Sequence, residues 1–290
     1  MRELIERTAQ RFAAAPLHFG HGTDNPRDEA AWLVLRGLRL PFGADLGRRV
    51  NQVEQQRIES LAGKRVGERL PVAYLLREAW LGGLDFYVDE RVIVPRSHIA
   101  ELLGDKLKPW LEGPVGRILD LCTGSGCLAI LAARAFPSAA LDAVDLSPTA
   151  LAVARKNVAR HRLGRRIRLL RSDLFASLGK RRYDLILANP PYVTGAAMNA
   201  LPREYAHEPK IALAGGRDGL DLAARVIAGA ATHLNEGALL VCEVGDGKRA
   251  LEKRYPRLGL LWPKAEVFIY QPSRSAPVAR NRTRHPAGAG

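Results

Sequence analysis

Tyr183-Asp-Leu-Ile-Leu-Ala-Asn-Pro-Pro-Tyr192 is the stretch from which this chain is read. Tyr183 to Ala188 is an apolar run of the length of a buried strand. Pro190 and Pro191 have no N–H to give a central ladder, so the strand stops there and opens into a rigid loop. In an open α/β sheet, a residue at the carboxyl end of a strand sits where such sheets bind ligands. Asn189 offers a side-chain carbonyl and Pro190 a backbone carbonyl. Together they can accept both hydrogens of a planar –NH2 group, with Tyr192 on its flat face. A strand-ending turn without function is the competing reading, and the tetrapeptide alone leaves both open.

Working outward, the pattern from Val115 onward alternates strand and helix. The strands are Arg117–Leu121, Ala140–Val144 ending in Asp145, Ile167–Arg171 ending in Ser172-Asp173, Tyr183–Ala188, and Leu239–Val244. Cys127–Ala135 reads as a helix, as does the segment from Ser147-Pro148 to about Arg162, which carries Leu151, Ala154 and Val158 on one face. Asp218–Leu234 is a further helix, stopped by Asn235 and Gly237. Leu258–Trp262 and Glu266–Tyr270 form a final strand pair. Such alternation implies an α/β fold with a largely parallel, doubly wound sheet.

Before that unit the chain reads differently. Residues 1–79 form a small helical domain, a candidate for substrate recognition. Its first helix, Arg2–Ala15, places Leu4, Ile5, Thr8 and Phe12 at helical spacing. Asp24-Asn25-Pro26 is a helix start, and Val50–Leu61 is a third helix ended near Gly63. His18 and His21 read as loop residues. Residues 80–98 form a linking β-hairpin: Leu84, Phe86 and Val88 alternate, then Val92 and Val94 after Asp89-Glu90. Ser97 caps a helix over Ile99–Trp110. Residues 99–272 make the α/β domain, and 273–290, rich in Pro, Arg, Gly and Ala, read as a disordered tail.

Composition narrows the classes. The 290 residues are 47% hydrophobic, which suits a globular protein with one good core and a smaller domain. No apolar run spans a membrane, and Glu3 and Glu6 in the amphipathic start do not suit a secretory or transit segment, so the expected location is cytoplasmic. The odd set Cys122, Cys127 and Cys242 implies reduced thiols. With no second pair or His cluster nearby, no metal is expected. The net charge of +14 suggests an acidic partner such as RNA, against the plainer reading of an Arg-rich solvated surface.

Asp120-Leu-Cys-Thr-Gly-Ser-Gly126 joins a strand to a helix. Gly124, Gly126 and Ala129 fit a dinucleotide fingerprint, with Asp145 at the distance that holds a ribose, so an NAD enzyme has to be weighed. Asp120 favours S-adenosylmethionine instead. A carboxylate just before the loop attracts an ammonium and a sulfonium and repels a pyrophosphate. Asp173 ends the third strand, where it can accept from an adenine amine. Plainer roles are a turn for Asp145 and a helix cap for Asp173.

Asp120–Gly126, Asp145, Asp173 and Asn189–Tyr192 together resemble a class I, Rossmann-like methyltransferase acting on planar nitrogen. Val92-Ile-Val-Pro-Arg96, Tyr205-Ala-His207-Glu208-Pro209 and Gly219-Leu-Asp221 are similar to the HemK-type protein glutamine methyltransferases. The run from Phe86 to Ser97, followed by Ile99-Ala-Glu101, resembles the branch that modifies the third protein of the large ribosomal subunit. The sister branch, acting on peptide release factors, typically has Pro-Arg-Pro-Asp-Thr-Glu here. His98 departs from the proline of the pattern, beside the substrate entrance and away from the cofactor motif. The resemblance spans about Thr23 to Tyr270.

The resemblance implies S-adenosylmethionine as cofactor. Asp120, Cys122, Thr123, Gly124, Ser125 and Gly126 hold its methionine part, Asp145 and Leu146 its ribose, and Asp173 and Leu174 its adenine, with Asn189 bordering the site. Asn189 and Pro190 grip a glutamine amide. Tyr192 packs on it, and Pro191, Pro95 and Arg96 complete the substrate pocket. No dedicated base is expected; His207 and Glu208 shape the pocket. The expected partner is the large-subunit ribosomal protein, free or in an assembly intermediate. RNA contact through the basic residues of Arg155 to Arg171 stands against a solvated helix face. The alternatives are glutamine methylation of release factors, DNA adenine methylation, which would need base flipping and a DNA-reading domain, and a non-catalytic cofactor-binding assembly factor.

Overall fold

A computed structural model of the chain describes residues 1–272. The tail expectation for 273–290 lies outside the described residues. The chain begins with helix α1 (Arg2–Ala13), which buries Leu4, Ile5, Thr8 and Phe12. In α2 (Pro26–Gly37), the Asn25 side chain caps by accepting from Asp28 N–H, and proline opens the helix. Helix α3 (Gln52–Gly67) starts on a capping box of Asn51 and Glu54. It runs through Gly63 rather than ending there. One helical glycine costs only about 1 kcal/mol, and burial of Ile58, Ala62 and Arg65 outweighs it. The short α4 (Val72–Leu76) has no counterpart in the sequence reading.

The hairpin lies earlier than expected. Strands β1 (Ala79–Leu81) and β2 (Leu84–Phe86) pair antiparallel across Gly82-Gly83, whose φ values of 55° and 75° make the two-residue turn. Asp89 instead closes a small turn, accepting from Arg91 and from the Tyr87 hydroxyl. Val88, Val92 and Val94 are buried, but against helices and not in a ladder. Helix α5 (Ile99–Gly104) is shorter than the expected Ile99–Trp110, because Lys106 and Leu107 turn left-handed, at φ 53° and 59°.

The α/β unit then follows in order: β3 (Arg117–Leu121), α6 (Cys127–Ala135), β4 (Ala140–Asp145), α7 (Pro148–Arg160), β5 (Ile167–Arg171) and β6 (Tyr183–Ala188). The short α8 (Gly195–Met198) leads towards α9 (Asp221–His233) and β7 (Leu234–Glu243). The described chain closes with α10 (Lys248–Arg254), β8 (Leu261–Lys264) and β9 (Val267–Tyr270). Helix α9 passes directly into β7, so Asn235 and Gly237 lie inside a strand rather than after a helix. The seven-stranded sheet has the order β5-β4-β3-β6-β7-β9-β8. Its first four pairings are parallel and its last two antiparallel, the doubly wound α/β arrangement that the alternation implied.

One face of the sheet packs on α5 and α6, the other on α9 and α10. A third core joins the N-terminal helices, Val88, Val92 and Val94 to Ala150 and Val153 of α7. Among the described residues, no helix is long and apolar enough to cross a membrane.

Charged side chains hold the helical layer to the α/β unit. Arg65 is 1% exposed and bonds Glu29 at 2.9 Å, Glu204 at 3.0 Å and the His18 carbonyl at 2.8 Å. Arg69 adds a second contact to Glu204 at 2.9 Å. Removing one partner of such a cluster strands buried charge. Arg65→Met is therefore expected to lower stability by about 3–5 kcal/mol, read as a shifted denaturation midpoint at unchanged slope. A loss below about 1 kcal/mol would show that water reaches the cluster.

Candidate functional site

Strand register brings the expected residues to one edge. Leu121 pairs with Val144 and with Ala188, and Asp145 with Arg171. The chain therefore leaves β3 at Cys122, β4 after Asp145, β5 at Ser172-Asp173 and β6 at Asn189, all at the carboxyl ends of parallel neighbours. Neighbouring strands lie about 4.8 Å apart, so the glycine loop and the Asn189 loop start side by side.

The loop after β3 is built around Asp120, which is fully buried. Its Oδ2 accepts from the Thr123 hydroxyl at 2.5 Å and from Ala129 N–H at 3.1 Å, while Oδ1 has no partner among the described residues. Burial pushes this carboxyl up to about 7, and the Asp145 charge adds to the shift; the Thr123 and Ala129 bonds oppose it. Gly124 has φ 54°, and a Cβ there would meet only the Cys122 carbonyl oxygen, at 4.0 Å. A Cβ on Gly126 would meet Ala154 at 3.3 Å, so that glycine lets the loop close on α7. Cys122 is half-buried at φ 57°, and burial raises its thiol. Ser125 is buried, and its carbonyl accepts from Asn157.

Asp145 is fixed from both sides, Oδ2 by Gly124 N–H at 2.8 Å and Oδ1 by Ser147 N–H at 2.9 Å. Leu146 follows with 48% of its surface exposed, an apolar face at the mouth of the loop. Asp173 is exposed and pairs with Arg225 at 2.8 Å; its side chain caps no helix. Leu174 is buried in a left-handed turn at φ 49°.

Asn189 is half-buried, and neither its side chain nor the Pro190 carbonyl has a hydrogen-bond partner among the described residues. These acceptors are free to take donors from a ligand. The following backbone is held closely. A Cβ on Gly215 would stand 2.6 Å from Tyr192 Cα, and one on Gly245 2.7 Å from the Tyr192 ring. The Tyr192 hydroxyl points to Glu243 Oε1 at 3.4 Å; burial and that carboxylate raise its titration.

Glu243, Glu204 and Glu208 were not singled out for these contacts by the sequence. Glu243, at the end of β7, is 3% exposed and accepts from the Ser97 hydroxyl at 2.6 Å and His98 N–H at 3.2 Å. Ser97 also accepts from Ile99 N–H at 3.2 Å, so the expected cap serves as a tether as well. Arg96 is bidentate on Glu208, at 2.6 Å to each oxygen, beneath the Tyr205 ring. Buried Pro95 lies between Arg96 and Val94, whose N–H also reaches Glu208 at 2.9 Å. His207 bonds the Glu68 carbonyl at 2.9 Å. His21, expected in a loop, is 1% exposed against Tyr205, and burial lowers it to about 4. His98 is exposed beside Glu101 and Glu266.

The basic run divides. Arg160 pairs with Asp85, Lys156 lies 4.0 Å from the Tyr87 ring centroid, Arg166 donates to the carbonyls of Ala133, Phe136 and Ala139, and Arg168 pairs with Asp142.

A family model described as methyltransferase small domain matches residues 100–216. A ribosomal protein uL3 glutamine methyltransferase from Bordetella pertussis is 51% identical over 90% of each chain. A protein of the same name from Burkholderia pseudomallei is 49% identical over 96% of each chain. Another, from Bradyrhizobium diazoefficiens, is 48% identical over 91% of this chain and 86% of its own.

The residues present fit S-adenosylmethionine. The unpartnered Asp120 oxygen suits its ammonium, the open face at Gly124 admits a close ligand, and Leu146 offers apolar surface. With its carboxyl near 7, Asp120 is half protonated at neutral pH, and a cation pairs only with the ionised form. Affinity for S-adenosylhomocysteine, which keeps the ammonium, is therefore expected to fall about fivefold from pH 7 to pH 6. Calorimetry of Asp120→Asn should show weaker binding at pH 7 and no such slope. A slope that persists would move the titration to another group.

Proposed function

The chain belongs to the family of ribosomal protein uL3 glutamine methyltransferases, and from that premise we propose that it methylates the side-chain amide nitrogen of a glutamine in uL3 of the large ribosomal subunit. The observation that carries the reading is the register of β3 with β6. It sets the Asp120–Gly126 loop and the free acceptors of Asn189 and Pro190 at neighbouring strand ends.

An amide nitrogen is a weak nucleophile, because its lone pair is delocalised into the carbonyl. Asn189 Oδ1 and the Pro190 carbonyl accept its two N–H bonds, which raises electron density on nitrogen and fixes its direction. Tyr192, pinned between Gly245 and Glu243, packs on the amide plane. When bound, S-adenosylmethionine supplies the electrophilic methyl group. Asp120 and the Cys122–Gly126 loop hold its methionine part, Asp145 and Leu146 its ribose, and Asp173 and Leu174 border its adenine. Pro95, Arg96 and Pro191 frame the glutamine's entry.

The nearby titratable side chains already have partners: His207 with Glu68, Glu208 with Arg96, Glu243 with Ser97. Water takes the proton, and the rate enhancement rests on positioning and electrostatics. The site of action is the cytoplasm, on uL3 free or in an assembly intermediate. RNA contact is the finer part of this reading and is developed below.

Asn189→Ala tests the grip. Methyl transfer to purified uL3 is expected to fall at least about 100-fold, with S-adenosylhomocysteine affinity within about twofold of wild type. A purified release factor serves as comparator, and mass spectrometry locates the methyl group. Label on the release factor alone would reassign the substrate; full activity in the variant would remove Asn189 from the chemistry.

A further inference from the structure

A cluster of positive charge lies at the end of the sheet opposite the methyl-transfer site. Arg117 opens β3, Arg168 follows the start of β5, and Lys180, Arg181 and Arg182 lead into β6. A cleft of about 510 Å³ is lined by Arg117, Arg165, Arg166, Arg168, Arg181 and Tyr183, together with Asp142. A neighbouring cleft of about 620 Å³ shares Arg117 and Arg181 and adds Lys180 and Arg182, so the two run together as one groove.

The acids there are already engaged. Asp142 pairs with Arg168 and accepts from the Tyr183 hydroxyl at 2.8 Å. Asp184 accepts from Gly116 and Arg117 N–H and from Asn235. Arg166, tied to three carbonyls, forms a fixed wall. Among the described residues, Arg117, Arg165, Lys180 and Arg181 have no salt bridge.

We infer that this groove binds the phosphate backbone of RNA. Six arginines to one lysine suit phosphate, because the planar guanidinium meets two oxygens at once. A run of cations along a groove suits a polyanion better than a single ion. The choice of RNA rests on the uL3 reading, since a ribosomal protein assembles on RNA. Strands of five or six residues separate the groove from Asn189 by about 17 Å. RNA held there leaves the substrate entrance open, and it tethers the enzyme to the particle that carries its substrate. Of the basic run Arg155 to Arg171, Arg165, Arg166 and Arg168 line this groove, whereas Arg160 and Lys156 on α7 are engaged by Asp85 and Tyr87.

The test uses full-length protein and a fluorescein-labelled single-stranded RNA of 20 nucleotides, read by anisotropy across a salt series. One variant replaces Arg117, Arg165, Lys180 and Arg181 with serine. A control removes equal charge at exposed Arg7, Arg49, Arg57 and Lys64 of the helical layer. The groove variant is expected to bind RNA at least about tenfold more weakly, with the slope of log affinity against log salt reduced by about 3, four contacts at 0.7 each. Its methyl transfer to free uL3 should stay unchanged, which keeps this test separate from that of the activity. Equal loss in both variants would reduce the effect to net charge and overturn the groove. Equal wild-type affinity for a polyglutamate peptide of the same charge would replace RNA by an acidic protein.

Discussion

Glu204 and Glu208 stand four residues apart on the segment that follows Asn189–Tyr192, and both carboxylates are buried. Glu204 reaches back to Arg65, Arg69 and the His18 N–H of the helical layer. Glu208 reaches Arg96 and the Val94 N–H of the linker. Replacing a buried ion pair with apolar residues often leaves stability unchanged or higher, so these contacts matter less for net stability than for position. An unpaired carboxylate at either place would be costly enough to exclude other arrangements of the segment. The loop at Asn189 is thus fixed from both directions, by strand register before it and by two charge clamps after it.

The same segment explains why the helical layer and the α/β unit form one site. Arg96 carries Tyr205 over its guanidinium, and Tyr205 in turn packs on His21 of the helical layer. Ser97 anchors on Glu243, the carboxylate that the Tyr192 hydroxyl also addresses. Helical layer, linker, β7 and the Asn189 loop therefore meet through side chains that are themselves hydrogen-bonded. In the proposed reaction, a substrate amide would find acceptors whose surroundings are already set, the condition under which positioning contributes most to rate.

Features governed by local rules were legible in the sequence. The strand ends at Asp120, Asp145, Asp173 and Asn189 could be read because apolar runs and prolines mark where a strand stops. The Asn25-Pro26 and Ser147-Pro148 helix starts follow from capping chemistry. The hairpin was misplaced because alternation continues through Val94, whereas Gly82-Gly83 alone supplies the positive φ that the turn needs. Helix α3 overran Gly63 because tertiary burial outweighs one propensity. The clamps were hidden for a different reason: Arg65 and Glu204 are 139 positions apart, and Arg96 and Glu208 are 112 apart. No period or motif signals a pair of charges at that separation.

Charge is segregated along the strands, and the two poles differ in kind. At the strand starts, Arg117, Arg165 and Arg181 have no acidic partner among the described residues. At the strand ends, Asp173 is exposed and pairs with Arg225, while Asp120 and Asp145 accept from backbone N–H groups, except for one oxygen of Asp120, which is left over. That exception runs against the fold. A carboxyl raised from 3.8 to about 7 by burial destabilises the ligand-free protein increasingly as pH rises through that interval. A bound cation reverses the sign, because the ionised carboxylate then has its partner. In the proposed site, the group that weakens the empty fold is also the one that discriminates among ligands: an ammonium would relieve it and a pyrophosphate would aggravate it. On the proposed reading, the glycine loop leaves room for a ligand and Asp120 supplies the electrostatic term that favours a cationic one over a pyrophosphate.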